Sequence, residues 1–99
     1  MNVRFKERFL ERLEAEVDFD GGHSEPVVKA FRRRMQQIRA AEDERTFYAL
    51  KSLHFEKLKG SRDQQHSMRL NDQWRLIVEF EGHGPEKTII IIGIEDYHR

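Results

Sequence analysis

The residues best suited to chemistry lie between Lys59 and Arg75, in the order Lys59-Gly60-Ser61-Arg62-Asp63-Gln64-Gln65-His66-Ser67-Met68-Arg69-Leu70-Asn71-Asp72-Gln73-Trp74-Arg75. This stretch holds the cations Lys59, Arg62, Arg69 and Arg75, the histidine His66 and the only tryptophan. A guanidinium presents a planar fork that matches phosphate oxygens, and an ammonium supplies a compact point charge. The stretch reads as a loop feeding a β-hairpin, with a cationic surface suited to RNA phosphate. Asp96-Tyr97-His98 at the far end is expected to complete that surface. His98 titrates near neutrality without special tuning, which suits proton transfer.

The formal net charge is zero, whereas nucleic-acid binders usually carry a basic excess. The charges are unevenly distributed, however. Residues 1–28 hold four Lys/Arg against seven Asp/Glu, residues 29–75 hold twelve against six, and residues 76–99 hold two against five. The local field steers an anionic ligand, and here the middle of the chain is basic between acidic ends. The bland reading is that helices simply carry solvated charges.

Composition narrows the class. With 99 residues the chain is expected to form one domain, spanning 1–99. The hydrophobic share is 37% and the charged share 36%, yet the apolar residues cluster with clear periods, which argues against disorder. Absence of cysteine excludes disulfides and thiolate zinc sites and suits a reducing compartment. The start, Met1-Asn2-Val3-Arg4-Phe5-Lys6-Glu7-Arg8, is too charged for a signal peptide. No apolar run approaches the ~20 residues that span a bilayer. The expectation is a soluble, cytoplasmic protein with no membrane partner.

The elements that must position the cations can be read in chain order. Val3 and Phe5 suit a short strand over Asn2–Phe5, running into a helix at about Lys6–Ala15. Asp18-Phe19-Asp20-Gly21-Gly22 breaks the chain. Ser24 reads as an N-cap, with Glu25 and Pro26 in the first turn of a helix to about Ala41. Val27, Phe31, Met35 and Ile38 form its apolar stripe. Arg32, Arg33 and Arg34 are expected to point elsewhere, as a solvated face or a contact surface. Phe47, Leu50 and Leu53 suit a short helix from about Glu44 to Ser52, and Phe55 and Leu58 should anchor the loop that follows.

The second half changes period. Gln65–Leu70 and Trp74–Glu81 alternate as half-buried strands. Thr88–Ile94 is a nearly continuous β-branched run, as in an interior strand buried on both sides. Directly paired residues share a face, and this fixes the hairpin register. A two-residue Asn71-Asp72 turn would oppose Met68 to Arg75. A three-residue connection over Asn71–Gln73 pairs Leu70 with Trp74, Met68 with Leu76 and Arg69 with Arg75, so the apolar face stays continuous. The odd-length connection is therefore predicted, with Asn and Asp taking any left-handed position it needs. Arg69 and Arg75 then lie side by side. Opposed like charges cost stability, so either each has a carboxylate partner or the pair is held for an anion.

Leu58-Lys59-Gly60-Ser61-Arg62, Gln65-His66-Ser67-Met68-Arg69-Leu70-Asn71-Asp72-Gln73-Trp74-Arg75-Leu76 and Glu95-Asp96-Tyr97-His98 together resemble the RelE/HigB family. These are toxins of type II toxin–antitoxin systems, and the HigB-like branch is the nearer. The resemblance covers most of the chain. It implies an α+β fold with N-terminal helices packed on a small, curved, mostly antiparallel β-sheet. It implies a ribosome-dependent mRNA endonuclease that cuts codons in the A site, and a helix-turn-helix antitoxin as partner. RNA carries its own nucleophile, the 2′-hydroxyl, so such cleavage needs no metal and no cofactor. It needs a base, an acid for the leaving 5′-oxygen, and cations for the charged phosphorane.

The family's lysine after the loop leucine, arginine after the hairpin tryptophan and terminal histidine match Lys59, Arg75 and His98. The resemblance implies that Arg75 holds the transition-state phosphate. Lys59 would stabilise phosphate or, with a pKa depressed by Arg62 and Arg69, exchange a proton. His98 is the leading acid or base. Asp96 would orient His98 or act as the base itself, and Tyr97 would stack on a base or bond phosphate. Arg62 and Arg69 would contribute to RNA binding. Some relatives carry a histidine three residues before the loop lysine, and this chain has Glu56 there. His66 falls on the Met68 face, where a packed core histidine is expected.

Two readings compete with the nuclease. ParE-like toxins share this superfamily and inhibit DNA gyrase by binding, and a small RNA-binding module would use the same cations without catalysis. A titrating histidine beside a cationic hairpin favours the nuclease over the ParE-like reading. A metal site is disfavoured, because no two of the five histidines lie at i, i+3 or i+4.

Overall fold

The two hydrophobic periods resolve, in a computed structural model that describes residues 1–97, into a helical layer over one face of a sheet. The order is β1 (Asn2–Phe5), α1 (Arg8–Ala15), α2 (Glu25–Ala40), α3 (Arg45–Ala49), β2 (Glu56–Lys57), β3 (Gln65–Arg69), β4 (Trp74–Glu81) and β5 (Thr88–Asp96). Short 3-10 turns occupy Lys51–Leu53, Gly60–Arg62 and Gly84–Glu86. The five-stranded sheet runs β1-β5-β4-β3-β2. Only β1 is parallel to its neighbour, β5, and the other pairings are antiparallel. This is the α+β, mostly antiparallel architecture expected. The roles expected of His98 lie outside the described residues.

The core forms between α1, α2, α3 and one sheet face. Leu10, Leu13, Phe31, Met35, Ile38 and Phe47 meet Met68, Leu76, Val78, Ile89 and Ile91, all fully buried. Ser24 caps α2 by backbone position, without a side-chain cap bond, and a proline stands in its first turn as expected. The α2 stripe is buried as the period requires, but the arginine run does not simply face water. Arg32 donates to the carbonyls of Leu13 (2.9 Å), Glu16 (2.8 Å) and Phe19 (3.2 Å). It thereby ties the end of α1 to α2 by satisfying carbonyls that a helix terminus leaves open. Arg34 is buried, and its Nη2 donates to the Arg69 carbonyl (2.7 Å). Because β2 pairs with β3 only at Ser67 and His66, β3 is an edge beyond them, and Arg34 supplies a donor there. Only Arg33 of the three is exposed.

The helix expected to reach Ser52 ends at Ala49, and Lys51–Leu53 continues as a 3-10 turn. That change of period exposes Leu50 while Phe47 and Leu53 stay buried. Phe55 anchors the next segment, buried against Phe47 and Tyr48 with ring centroids 5.4 and 4.8 Å apart.

The hairpin has the odd-length register. Met68 pairs with Leu76 and Arg69 with Arg75, and the Leu70 N–H donates to the Trp74 carbonyl (2.9 Å). The connection does not use a left-handed asparagine or aspartate, since His54 is the only non-glycine of positive φ among the described residues. Instead, Asn71 Oδ1 accepts from the backbone N–H groups of Gln73 (2.9 Å) and Trp74 (2.8 Å). The side chain replaces a backbone acceptor, as asparagine does in Asx turns. Asn71→Ala should therefore cost about 1–2 kcal/mol, a fall in melting temperature on the order of 5–10 °C for a chain of this size. Asn71→Asp keeps the acceptor and should recover most of the loss. Thermal denaturation of the two variants checks this, and equal losses would refute it.

One irregularity decides which residues face the candidate site. Between Ile77 and Val78 the β4–β5 register shifts, with Ile77 opposite Gly93 but Val78 opposite Ile91. Ile92 is thus the extra residue of a β-bulge. In an uninterrupted strand, Ile89, Ile91, Gly93 and Glu95 would share one face. The bulge changes the parity, so Ile94 packs against the core cluster and Glu95 pairs with Arg75 on the opposite face.

Candidate phosphate-binding site

The sheet face away from the helices carries the cations. Direct pairing sets Arg69, Arg75 and Glu95 in one row, and Ser67 with Ile77 in the next. The loop after β2 folds back towards this face. The Leu58 N–H donates to the Gln65 carbonyl (2.9 Å), and Gly60 turns the chain at φ +71°, a left-handed conformation that favours glycine. The 3-10 turn that follows delivers Arg62. Its Nε donates to Gln65 Oε1 on β3 (2.9 Å), and Nη1 and Nη2 grip both oxygens of Glu95 on β5 (3.0 and 2.7 Å). The guanidinium therefore bridges from β3 to β5, the two neighbours of β4. Gln65 in turn donates to Glu79 Oε2 (3.1 Å).

Arg75 is the least exposed of these cations, with its side chain 15% accessible. Its Nη2 stands 3.8 Å from Glu95 Oε1, its guanidinium carbon lies 5.3 Å from the centre of the Tyr97 ring, and its buried Nε has no hydrogen-bond partner among the described residues. Arg62 and Arg75 thus share one carboxylate, and Arg62 holds it in the close bidentate geometry. Buried donors without partners are rare, and the Arg75 guanidinium is balanced only by a carboxylate that Arg62 already holds. Arg69 turns towards the hairpin tip, paired with the Asp72 carboxylate and donating from Nε to the Asn71 carbonyl (3.3 Å). Each hairpin arginine therefore has a carboxylate nearby, but the one beside Arg75 is shared and longer.

The remaining sequence candidates fall around this cluster. Lys59 is exposed and caps the Gly60–Arg62 turn. Tyr97 is placed beside Arg75, and its backbone N–H donates to the Gln73 carbonyl (2.5 Å). Asp96 pairs directly with Trp74, which packs against the core, and its carboxylate accepts from the Gln73 amide (3.1 Å), so alternation sets it on the other side of the sheet from Arg75 and Glu95, not within the cationic face as expected. Glu56 pairs with Ser67 and is exposed at the edge of the cationic face. Glu95, for which the terminal motif implies no role, organises the cluster through Arg62 and Arg75. Its signal in the sequence was the lone acid before Asp96, and its facing depends on the Ile92 bulge. Among the described residues, no group of three or more His, Cys, Asp or Glu side chains is arranged to hold a metal ion.

His66 is a packed aromatic, as its position on the Met68 face predicts. It stacks on Phe55 (5.0 Å between centroids, 10° between planes) and meets Phe80 edge-on (5.4 Å), with Nδ1 buried and unpartnered. Burial is the main cause pushing its pKa below the ordinary histidine value. The folded state therefore prefers neutral imidazole. Its stabilising effect is complete above the unfolded pKa of about 6.5 and is lost as pH falls through the lower folded pKa. His66→Phe keeps the stack and should remove this component. The difference in melting temperature between variant and wild type should grow in the variant's favour from pH 7 to pH 5, and a constant difference would contradict the assignment.

The fold is shared with solved structures of two small proteins. One is a YoeB/ParE toxin from Agrobacterium tumefaciens, at a TM-score of 0.62 and 16% identity, covering 98% of this chain and 99% of that chain. The other is a conserved hypothetical protein from Helicobacter pylori, solved in solution, at a TM-score of 0.53 and 12% identity, covering 100% of this chain and 97% of that one. At such identities the likeness is one of fold, and it places the chain in the class of small α+β proteins to which the YoeB/ParE toxin belongs. The sequence carries the assignment further. The family model for the RelE-like toxin of type II toxin-antitoxin system HigB matches residues 3–98, and the chain belongs to this family. Membership in a type II system implies an antitoxin partner. No curated protein sequence matches, and no helix of the described residues is long and apolar enough to cross a membrane.

Proposed function

We propose that this toxin is an endoribonuclease that cuts mRNA on the ribosome, within codons of the A site, until a helix-turn-helix antitoxin neutralises it. The observation that carries the reading is the sharing of Glu95 by Arg62 and Arg75, which leaves guanidinium charge on a sheet face beside Tyr97. Cleavage proceeds by attack of the RNA 2′-oxygen on the adjacent phosphorus, with departure of the 5′-oxygen. The nucleophile belongs to the substrate, so the protein's tasks are to stabilise charge and move two protons. Arg75 faces the phosphate oxygens as charge develops, with Lys59 and Arg62 adding to the field. Tyr97 offers its ring to a base or its hydroxyl to phosphate. His98, the residue after Tyr97, and Asp96 supply the proton-transfer groups. The chemistry requires no metal and no cofactor.

The test is expression in growing cells followed by mapping of mRNA 5′ ends. Cuts inside translated codons, absent from untranslated message, are the expected result. DNA damage with intact message would replace this reading with gyrase inhibition, the ParE-like alternative.

A further inference from the structure

Around the sheet edge from Arg75, a depression of about 540 Å³ is lined by Arg33 and Arg34 of α2, Ser52, and Arg69, Asn71 and Asp72 of the hairpin. It brings three guanidinium groups to one place with one carboxylate, Asp72, which is engaged by Arg69. Arg33 is exposed, and neither it nor Arg34 forms an ion pair among the described residues. Arg34 is 8% exposed, bonded to the Arg69 carbonyl and to Gln37 Oε1, both uncharged, and its Nε has no partner. Burial first, then the charges of Arg33 and Arg69, disfavour its cation. A buried guanidinium among like charges is costly, and an anion in the depression relieves that cost. Asn71 and Ser52 add neutral polar groups to the lining.

We infer that this three-arginine depression is a second phosphate site, which holds an RNA backbone phosphodiester flanking the one at Arg75. The inference rests on the ribonuclease reading and deepens it. Arg69 links the two places: it is the direct cross-strand partner of Arg75 and also lines the depression. Cα atoms of such partners lie roughly 5 Å apart, so one strand of RNA can follow the hairpin from the sheet face to its edge. Guanidinium groups dominate the lining, so its contribution is affinity and register more than sequence choice.

Binding of a fluorescein-labelled single-stranded RNA decamer, followed by anisotropy over a range of potassium chloride concentrations, tests this with the full chain. Arg33→Glu changes an exposed side chain and leaves the core untouched. It should weaken binding about tenfold near 0.1 M salt and flatten the salt dependence by roughly 0.7 or more, the slope of one single-strand phosphate contact. Arg8→Glu makes the same charge change on α1, which packs near β1 at the other end of the sheet order, and should stay within about twofold of wild type. Equal effects of the two variants, or none from Arg33→Glu, overturn the site. In parallel, the Arg34 Nε–H resonance should shift on adding the decamer, and an unmoved signal at saturation also overturns it. If Arg33→Glu binds like wild type while wild type still cuts message in codons, the second site fails and the nuclease stands. If Arg33→Glu weakens binding while message stays intact in cells, the phosphate site stands and the cleavage reading fails.

Discussion

Arg75→Ala is expected to abolish growth arrest and to lower the rate of message cleavage by about a hundredfold or more, the usual cost of removing one group aimed at developing charge. The expectation rests on placement. Arg75 is largely enclosed, its Nε is unpartnered, and its near carboxylate is already held by Arg62. Truncation leaves Glu95 paired with Arg62, so no carboxylate is stranded and the fold should persist. Arg75→Lys should recover little, because an ammonium lacks the planar fork. The variant should still melt cooperatively and still bind its antitoxin, which separates lost chemistry from lost structure. His98→Ala is expected to give the same phenotype through proton transfer. Full toxicity in both variants would remove the ribonuclease reading and favour inhibition by binding alone.

Phe31→Ala should produce the largest loss of stability, on the order of 3–5 kcal/mol, or a fall in melting temperature of roughly 15 °C or more. Phe31 is fully buried on α2, among the helices and sheet residues of the core. Its removal opens a cavity that the surrounding aliphatic side chains cannot fill without moving backbone. The loss also reaches the site, because α2 carries Arg34, which satisfies the β3 edge at Arg69. Arg33→Ala, two positions away and exposed, should change stability by less than about 0.5 kcal/mol. Urea denaturation of the pair decides the matter. Similar midpoints would mean that α2 is not seated as described.

The hairpin was the most legible part of the sequence, and the reason is physical. Met68, Leu70, Trp74 and Leu76 must share the buried face, and a single-residue slip would put polar groups in the core. The same constraint set Arg69 beside Arg75. The turn's mechanism was not legible in that way, because a connection length does not reveal whether backbone or side chain satisfies it, and Asn71 uses its side chain. The arginine run of α2 was misleading as a unit. At 100° per residue Arg34 falls beside Val27, Phe31 and Ile38, so period itself carries it inward, whereas Arg32 lies off the stripe and reaches distant carbonyls through its length. Glu95 was hidden for a different reason. A run of isoleucines has no alternation to display, so the bulge at Ile92 left no trace, and with it the facing of the one acid that binds Arg62 and Arg75. Lys59 and Tyr97 were found through the motif rather than through periodicity, since loop and terminal residues have none.

The parallel pairing of β1 with β5 has a consequence for synthesis. The first strand of the chain finds its partner only in the last, at residues 88–91, and β4 receives its second neighbour from the same segment. Loop closure over this span must precede the contacts that reward it. A nascent chain still short of β5 has the helices and the β3–β4 hairpin, but neither a seat for β1 nor the carboxylate that gathers Arg62 and Arg75. The cluster on the sheet face is therefore complete only once β5 is seated between β1 and β4.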